Sequence, residues 1–219
     1  IHFTIHISSA HVIGILKVGI PTAIMQGIIS IMGIFINTIL YPFSSTAVAI
    51  YGVLTKVQNM AQICVHGMNN ALIPIIAYNY GAKKRERINE TIRCAFVYAA
   101  IIMLVVFVVI ELLPDKILML FDVSDRMLAM GVPAVRFMAI SYFVSCVGII
   151  FAAIFQGFGN GTYSMYLTFM RQVILLIPLL LLGAWLHNIN IIWIAFAVAE
   201  ALAIPFGLHL YKRISNLVI

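Results

Sequence analysis

"TKVQNMAQICVHGMNNALIP", residues 55–74, lies inside a long apolar tract, yet it holds a lysine, two glutamines, three asparagines and a histidine. Turned by about 100° per residue, the advance of an α-helix, Thr55, Asn59, Gln62, His66 and Asn69 fall within one narrow arc. The apolar Val57, Ile63, Val65 and Leu72 fall elsewhere. The tract before it repeats the device, because Gln26, Ser30, Gly33 and Asn37 are spaced by four, three and four residues and share one helical face. An unpaired amide held against lipid costs a few kcal/mol, so both stripes must face protein or water. Such amides also glue helices together, but two consecutive stripes exceed what association needs and favour an aqueous pathway.

The rest of the chain supports helices in a bilayer. Its 219 residues are 63% hydrophobic and only 9% charged, with a mean hydropathy of +1.11, values that no soluble domain of this length sustains on its surface. Runs long enough to cross about 30 Å of hydrocarbon, roughly 20 residues each, recur near 14–40, 46–78, 88–113, 127–155, 163–186 and 190–211. The expected fold class is therefore an all-α membrane protein, a six-helix bundle. A transmembrane barrel would need shorter, strictly alternating segments. "YPFSST", "YGAKKRER", "LPDKILMLFDVSD" with its short amphipathic piece, "QGFGNGT" and "HNIN" separate the spans. Turns this short predict antiparallel neighbours. The opening "IHFTIHISSAH" alternates and reads as an extended connection arriving from upstream, so 1–13 is expected to be a connecting segment and the chain a fragment.

Thirteen basic residues against seven acidic ones give a net charge of +6. They report membrane orientation rather than nucleic-acid binding. Lys17, then Lys83, Lys84, Arg85, Arg87 and Arg93, then Lys212 and Arg213 fall on one side. The other side keeps Lys116 and Arg126 beside Asp115, Asp122 and Asp125. The positive-inside rule then places both ends in the cytoplasm, in a multi-pass protein of the inner membrane. Two small-residue tracks, Ser141, Ser145, Gly148 and Ala152, and Ala195, Ala199, Ala203 and Gly207, predict close helix packing. Lys56 and Glu200 each lie about a dozen residues from an outer turn, hence level near the mid-plane, where they are expected to pair or to face a common cavity. Arg171 lies deeper, placed to meet an anionic group or helix carbonyls, and Glu111 beside Pro114 reads as interfacial.

Other patterns carry little. "GFGNG" follows a helix rather than a strand and lacks a Gly-Lys-Ser/Thr sequence, so it is no phosphate loop. His2 and His6 stand four apart with no carboxylate near them, which makes a poor metal site. Cys64, Cys94 and Cys146 show no paired spacing and read as small core residues. "NET" and "NGT" fall on the expected cytoplasmic side. No pair of intramembrane acids and no nucleophile elbow points to an enzyme, and no cofactor is expected.

Four stretches then identify a resemblance. "PIIAYNYGAKKRERI", residues 74–88, resembles the end of the eighth span of multidrug and toxic compound extrusion transporters. "QGFGNGTYSMYLTFMRQVILLIP", residues 156–178, resembles their tenth-to-eleventh connection. "KVGIPTAIMQ" is similar to the start of the seventh span, and "AIYGVLTKVQNM" to the eighth, with Lys56 at an often basic position. The resemblance covers nearly the whole chain. It implies twelve spans in two six-helix lobes, of which 14–219 would be the carboxy-terminal one, partnered by a missing amino-terminal lobe. It also implies export of small organic cations or drugs in exchange for protons or sodium by alternating access. Gln26, Ser30, Asn37, Thr55, Lys56, Asn59, Gln62, His66, Asn69 and Arg171 would then line this lobe's part of the pathway, surrounded by membrane lipid.

The sequence departs from that pattern in one respect. Sodium-coupled members carry a carboxylate in the seventh span and another in the tenth, yet 18–40 and 127–155 contain neither Asp nor Glu. Glu200, or a carboxylate upstream, would have to couple the ion, which leans toward protons. Two alternatives stand beside this reading. A lipid-linked saccharide flippase would need a more basic cavity. A non-transporting membrane scaffold would need no aligned stripes.

Overall fold

The computed structural model describes residues 9–218, all of whose regular structure is helical. Among the described residues are eight α-helices, all but the short α4 forming six spans: α1 Ser9–Leu40, α2 Ser45–Gly81, α3 Arg85–Leu112, α4 Pro114–Met119, α5 Asp125–Gly157, α6 Gly161–Phe169, α7 Leu176–Trp185 and α8 Ile189–Val218. A π-helical turn, Met170–Leu175, joins α6 to α7 so that the two cross as one span. Six segments are long and apolar enough to cross a membrane. The expected breaks hold, and the amphipathic piece is α4. Of the segment expected to be extended, residues 9–13 already belong to α1, and 1–8, with His2 and His6, lie outside the described residues.

Local chemistry sets the ends. Ser44 Oγ accepts from the Ala47 N–H at 3.0 Å and caps α2. Ser124 does the same for α5 through Met127. Three helices stop on the same pair of backbone bonds: Lys84 N to Asn79 O with Lys83 N to Tyr80 O, Asn160 N to Phe155 O with Gly159 N to Gln156 O, and Asn188 N to Gly183 O with His187 N to Ala184 O. The residue at the pivot must adopt a left-handed conformation. Gly159 does so at φ 73°, but Lys83 and His187 do so at 55° and 48° with a Cβ in place.

The bundle is organised around α5, which packs most extensively against α2 and α8. Tyr142, fully buried, donates from its hydroxyl to the Leu54 carbonyl at 2.8 Å and ties α5 to α2. Helices close up at the small-residue track of α8, where a Cβ on Gly207 would come within 2.9 Å of the Phe151 ring, and also at Gly157, beyond the α5 track, where one would come within 2.8 Å of Ile76 Cβ. One neighbour relation departs from expectation: α1 packs against α6 far more than against α2, which follows it in sequence. The close approach of the Gly161 backbone to Val18 explains the choice, since a Cβ there would lie 3.0 Å from the Val18 carbonyl. Leaning on α6 leaves α1 parted from α2, and a cleft opens between them.

Candidate functional site

That cleft is a cavity of about 480 Å³ bounded by α1, α2, α5, the π-turn and α8. Gln26, Ser30 and Gly33 of α1 face Thr55, Gln58, Asn59, Gln62 and His66 of α2 across it. Ser141 and Ser145 of α5 form its floor, and Arg171, Gln172 and Glu200 close the far side. Tyr51 and Phe196 meet at one edge, ring centroids 6.2 Å apart. A second hollow of about 600 Å³ lies between α2 and α3, but its charged residues, Lys84, Arg87 and Glu90, are all exposed. The polar interior of the lobe is the first cavity.

Of the residues singled out by sequence, Gln26, Ser30, Thr55, Asn59, Gln62, His66, Arg171 and Glu200 line this one cavity. Asn37, Lys56 and Asn69 do not. Lys56 sits about 100° around α2 from Thr55 and is exposed, so its expected pairing with Glu200 is not found: shared depth on two helices says nothing about azimuth. Asn37 is exposed near the end of α1. Asn69 lies on the α2 stripe but past the end of the cavity, half-buried, with its side-chain oxygen buried and unpartnered. Cys146 is buried as expected, whereas Cys64 and Cys94 are exposed and not core residues. A thiol is apolar enough to face acyl chains.

The hydroxyls on the stripes are satisfied within their own helices: Ser30 Oγ donates to Gln26 O at 3.1 Å and Thr55 Oγ1 to Gly52 O at 2.8 Å. Gln62 instead reaches across. Its Nε2 donates to Ser145 Oγ at 2.6 Å, and Ser145 Oγ donates in turn to the Tyr142 carbonyl at 2.9 Å. The chain locks α2 onto α5 beneath the cavity and fixes which end of the Gln62 amide turns inward.

The carboxylate partner of Arg171 is Glu200. Arg171 Nη1 donates to Glu200 Oε2 at 3.2 Å, with side chains only 14% and 11% exposed. Gly148 makes room for them, because a Cβ there would come within 2.8 Å of Nη1 and 3.8 Å of Oε2. So this member of the small-residue track holds an ion pair as well as a packing contact. The contact uses one guanidinium nitrogen; Arg171 Nε is buried with no partner.

Sequence reasoning missed Gln58, Gln172 and the floor serines as lining groups. Gln58 lies only about 60° from Thr55 and could have been read as the flank of the stripe. Gln172 could not, because in a regular helix it turns about 100° away from Arg171. The π-turn, with Leu176 N–H bonded to the Arg171 carbonyl five residues back, widens the helix and presents both side chains to the cavity. Single π-turns of this kind concentrate at functional sites.

Fold and cavity together define a polytopic helical membrane protein with a polar hollow inside one six-span lobe. The family model described as MatE matches residues 21–182, and the chain belongs to that family, the multidrug and toxic compound extrusion proteins. It is 22% identical over 202 residues to the multidrug export protein MepA of Staphylococcus haemolyticus, covering 92% of this chain and 44% of that one. It is 22% identical over 188 residues to MepA of Staphylococcus aureus strain MRSA252, covering 86% and 41%. Among solved structures, it superposes with a TM-score of 0.92 at 23% identity on a MOP superfamily transporter from Pyrococcus furiosus, covering 99% of this chain and 50% of that one. A MATE structure in a straight conformation matches at 0.92 and 23%, with the same coverage. One in a bent conformation matches at 0.86 and 21%, covering 97% and 48%. The chain spans less than half the length of the curated relatives it matches and has the fold of one lobe of the solved structures.

Proposed function

We propose that this chain forms the carboxy-terminal lobe of a secondary active transporter that exports organic cations or drugs, and that the cavity between α1 and α2 is its share of the transport pathway. The observation that carries the reading is the convergence of two polar stripes, Gln26 to Gly33 on α1 and Thr55 to His66 on α2, onto one hollow that also holds the buried Arg171–Glu200 ion pair. Residues 1–13 would connect it to an amino-terminal lobe, both ends would lie in the cytoplasm, and the protein would reside in the inner membrane. The coupling ion is a proton in this proposal, because Glu200 already has an internal cation in Arg171 and sodium would have to displace it. A flippase is not favoured: the cavity's one arginine is neutralised by Glu200, which leaves little to hold a pyrophosphate.

The test uses the full-length protein in proteoliposomes loaded with a cationic dye, under an imposed pH or sodium gradient. A pH gradient should drive dye flux, and Gln26→Leu with Asn59→Leu should lower it by about tenfold, the loss of one or two solute contacts of about 1 kcal/mol each. Flux indifferent to both gradients, or untouched by the double substitution, overturns the reading.

A further inference from the structure

The second hollow, between α2 and α3, changes chemistry along its length. At the turn joining the two helices it is lined by Lys84, Arg87 and Glu90, all exposed and none with a salt-bridge partner among the described residues. Its floor is apolar and buried at Leu72 and Ala95, and its lining includes the exposed Ile75 and Tyr98. From the turn it follows both helices down to Met68 and Tyr98, about 20 Å at roughly 1.5 Å per residue. That is about half of the roughly 40–45 Å of a bilayer with its headgroups. The hollow therefore spans one leaflet, charged where headgroups lie and apolar where acyl chains lie.

We infer that this hollow binds a phospholipid with an anionic, hydroxyl-bearing headgroup, of the phosphatidylglycerol type. Two cations against one carboxylate leave a positive charge at the turn, and the phosphodiester of such a lipid brings the negative charge that meets it. Basic pockets between membrane helices at headgroup level hold anionic lipids, and the Arg87 fork suits two phosphate oxygens. Glu90 stands three residues beyond Arg87 on the same face of α3, where it accepts from headgroup hydroxyls. A free phosphate would leave the apolar floor uncovered; a lipid covers it with an acyl chain. The site is separate from the cavity between α1 and α2, and the inference stands whatever that cavity carries.

The experiment uses the full-length protein in phosphatidylcholine nanodiscs with a reporter in the hollow, Tyr98→Trp, whose fluorescence is quenched by brominated acyl chains touching it. The signal is the difference from the protein without the reporter. Brominated phosphatidylglycerol should half-quench it at an about tenfold lower lipid fraction than brominated phosphatidylcholine, the gain from two basic groups less the offset of Glu90. Lys84→Gln with Arg87→Gln should bring the two lipids to within about twofold. Lys83→Gln with Arg93→Gln removes the same charge outside the hollow and should keep the preference. Ile75→Trp reports from the facing helix if Tyr98→Trp is not recovered folded. Equal quenching by phosphatidylglycerol and phosphatidylcholine overturns the inference. So does equal quenching by phosphatidylethanolamine, whose ammonium would pair with Glu90. A preference that survives without Lys84 and Arg87, or that is lost equally without Lys83 and Arg93, overturns it too. Quenching by no lipid overturns it and means that the rest of the chain covers the hollow.

Discussion

At the scale of single residues, two glycines that look alike in sequence have opposite work. Both Gly148 and Gly157 lie on α5, and a Cβ on either would meet an atom at 2.8 Å. At Gly148 that atom is the tip of the long Arg171 side chain, which can swing aside. At Gly157 it is Ile76 Cβ, with the Ile73 carbonyl at 3.2 Å behind it, and neither can retreat without moving α2. Gly148→Ala should therefore leave the melting temperature nearly unchanged, helix propensity offsetting strain to within about 1 kcal/mol, while shifting solute affinity. Gly157→Ala should cost about 1–3 kcal/mol through overpacking and leave affinity in the surviving folded protein alone. Thermal unfolding and dye binding on the same samples check both, and equal behaviour of the two variants would remove the distinction. Sequence spacing put Gly148 on a packing track correctly; its second role depends on a side chain 23 positions away, which no local pattern encodes.

At the scale of elements, the spans were legible because lipid enforces a strong rule: only apolar runs with closed hydrogen bonding cross it. The ends of the four inner spans were legible to within three residues, whereas α1 begins five residues before the expected 14 and α8 runs seven past the expected 211; the caps at Ser44 and Ser124 went unread. What stayed hidden was any feature that depends on how one helix deviates from its ideal. The π-turn at Met170–Leu175 adds no composition signal beyond the nearby Pro178, yet it brings Gln172 into the cavity beside Arg171. Left-handed residues at helix ends were equally silent. His187 takes φ 48° to complete the bond pair that ends α7, a conformation a Cβ disfavours by about 1–2 kcal/mol. Glycine relieves that strain and gives part of it back as unfolded-chain entropy. His187→Gly should then stabilise the protein by about 0.5–1 kcal/mol, seen as a higher apparent melting temperature in detergent. A lower one would mean that the imidazole makes a contact worth more than the strain.

At the scale of the whole molecule, the two stripes specified a polar interior, and the chain has one; they did not specify which helices would part to make it. That choice falls to α1, drawn onto α6 by the close approach at Gly161 and away from α2. The same displacement bears on Lys56. It lies on the exposed outer flank of α2 beside Met60 and Ile63, which are 63% and 67% exposed, so this flank mixes a charge with apolar surface. A lysine in mid-span facing acyl chains costs about 2.5–3.5 kcal/mol on insertion scales, whereas one facing a water-filled gap between two lobes costs little. The two environments make Lys56→Leu change sign. In the 219 residues expressed alone, with lipid against α2, the substitution should raise membrane yield and thermal stability. In the full-length protein, where the flank would border the pathway, it should leave stability within about 0.5 kcal/mol, as surface changes do, and lower dye flux. A gain of stability in both contexts would mean that Lys56 faces lipid throughout, and a loss in both would mean that it has a structural partner.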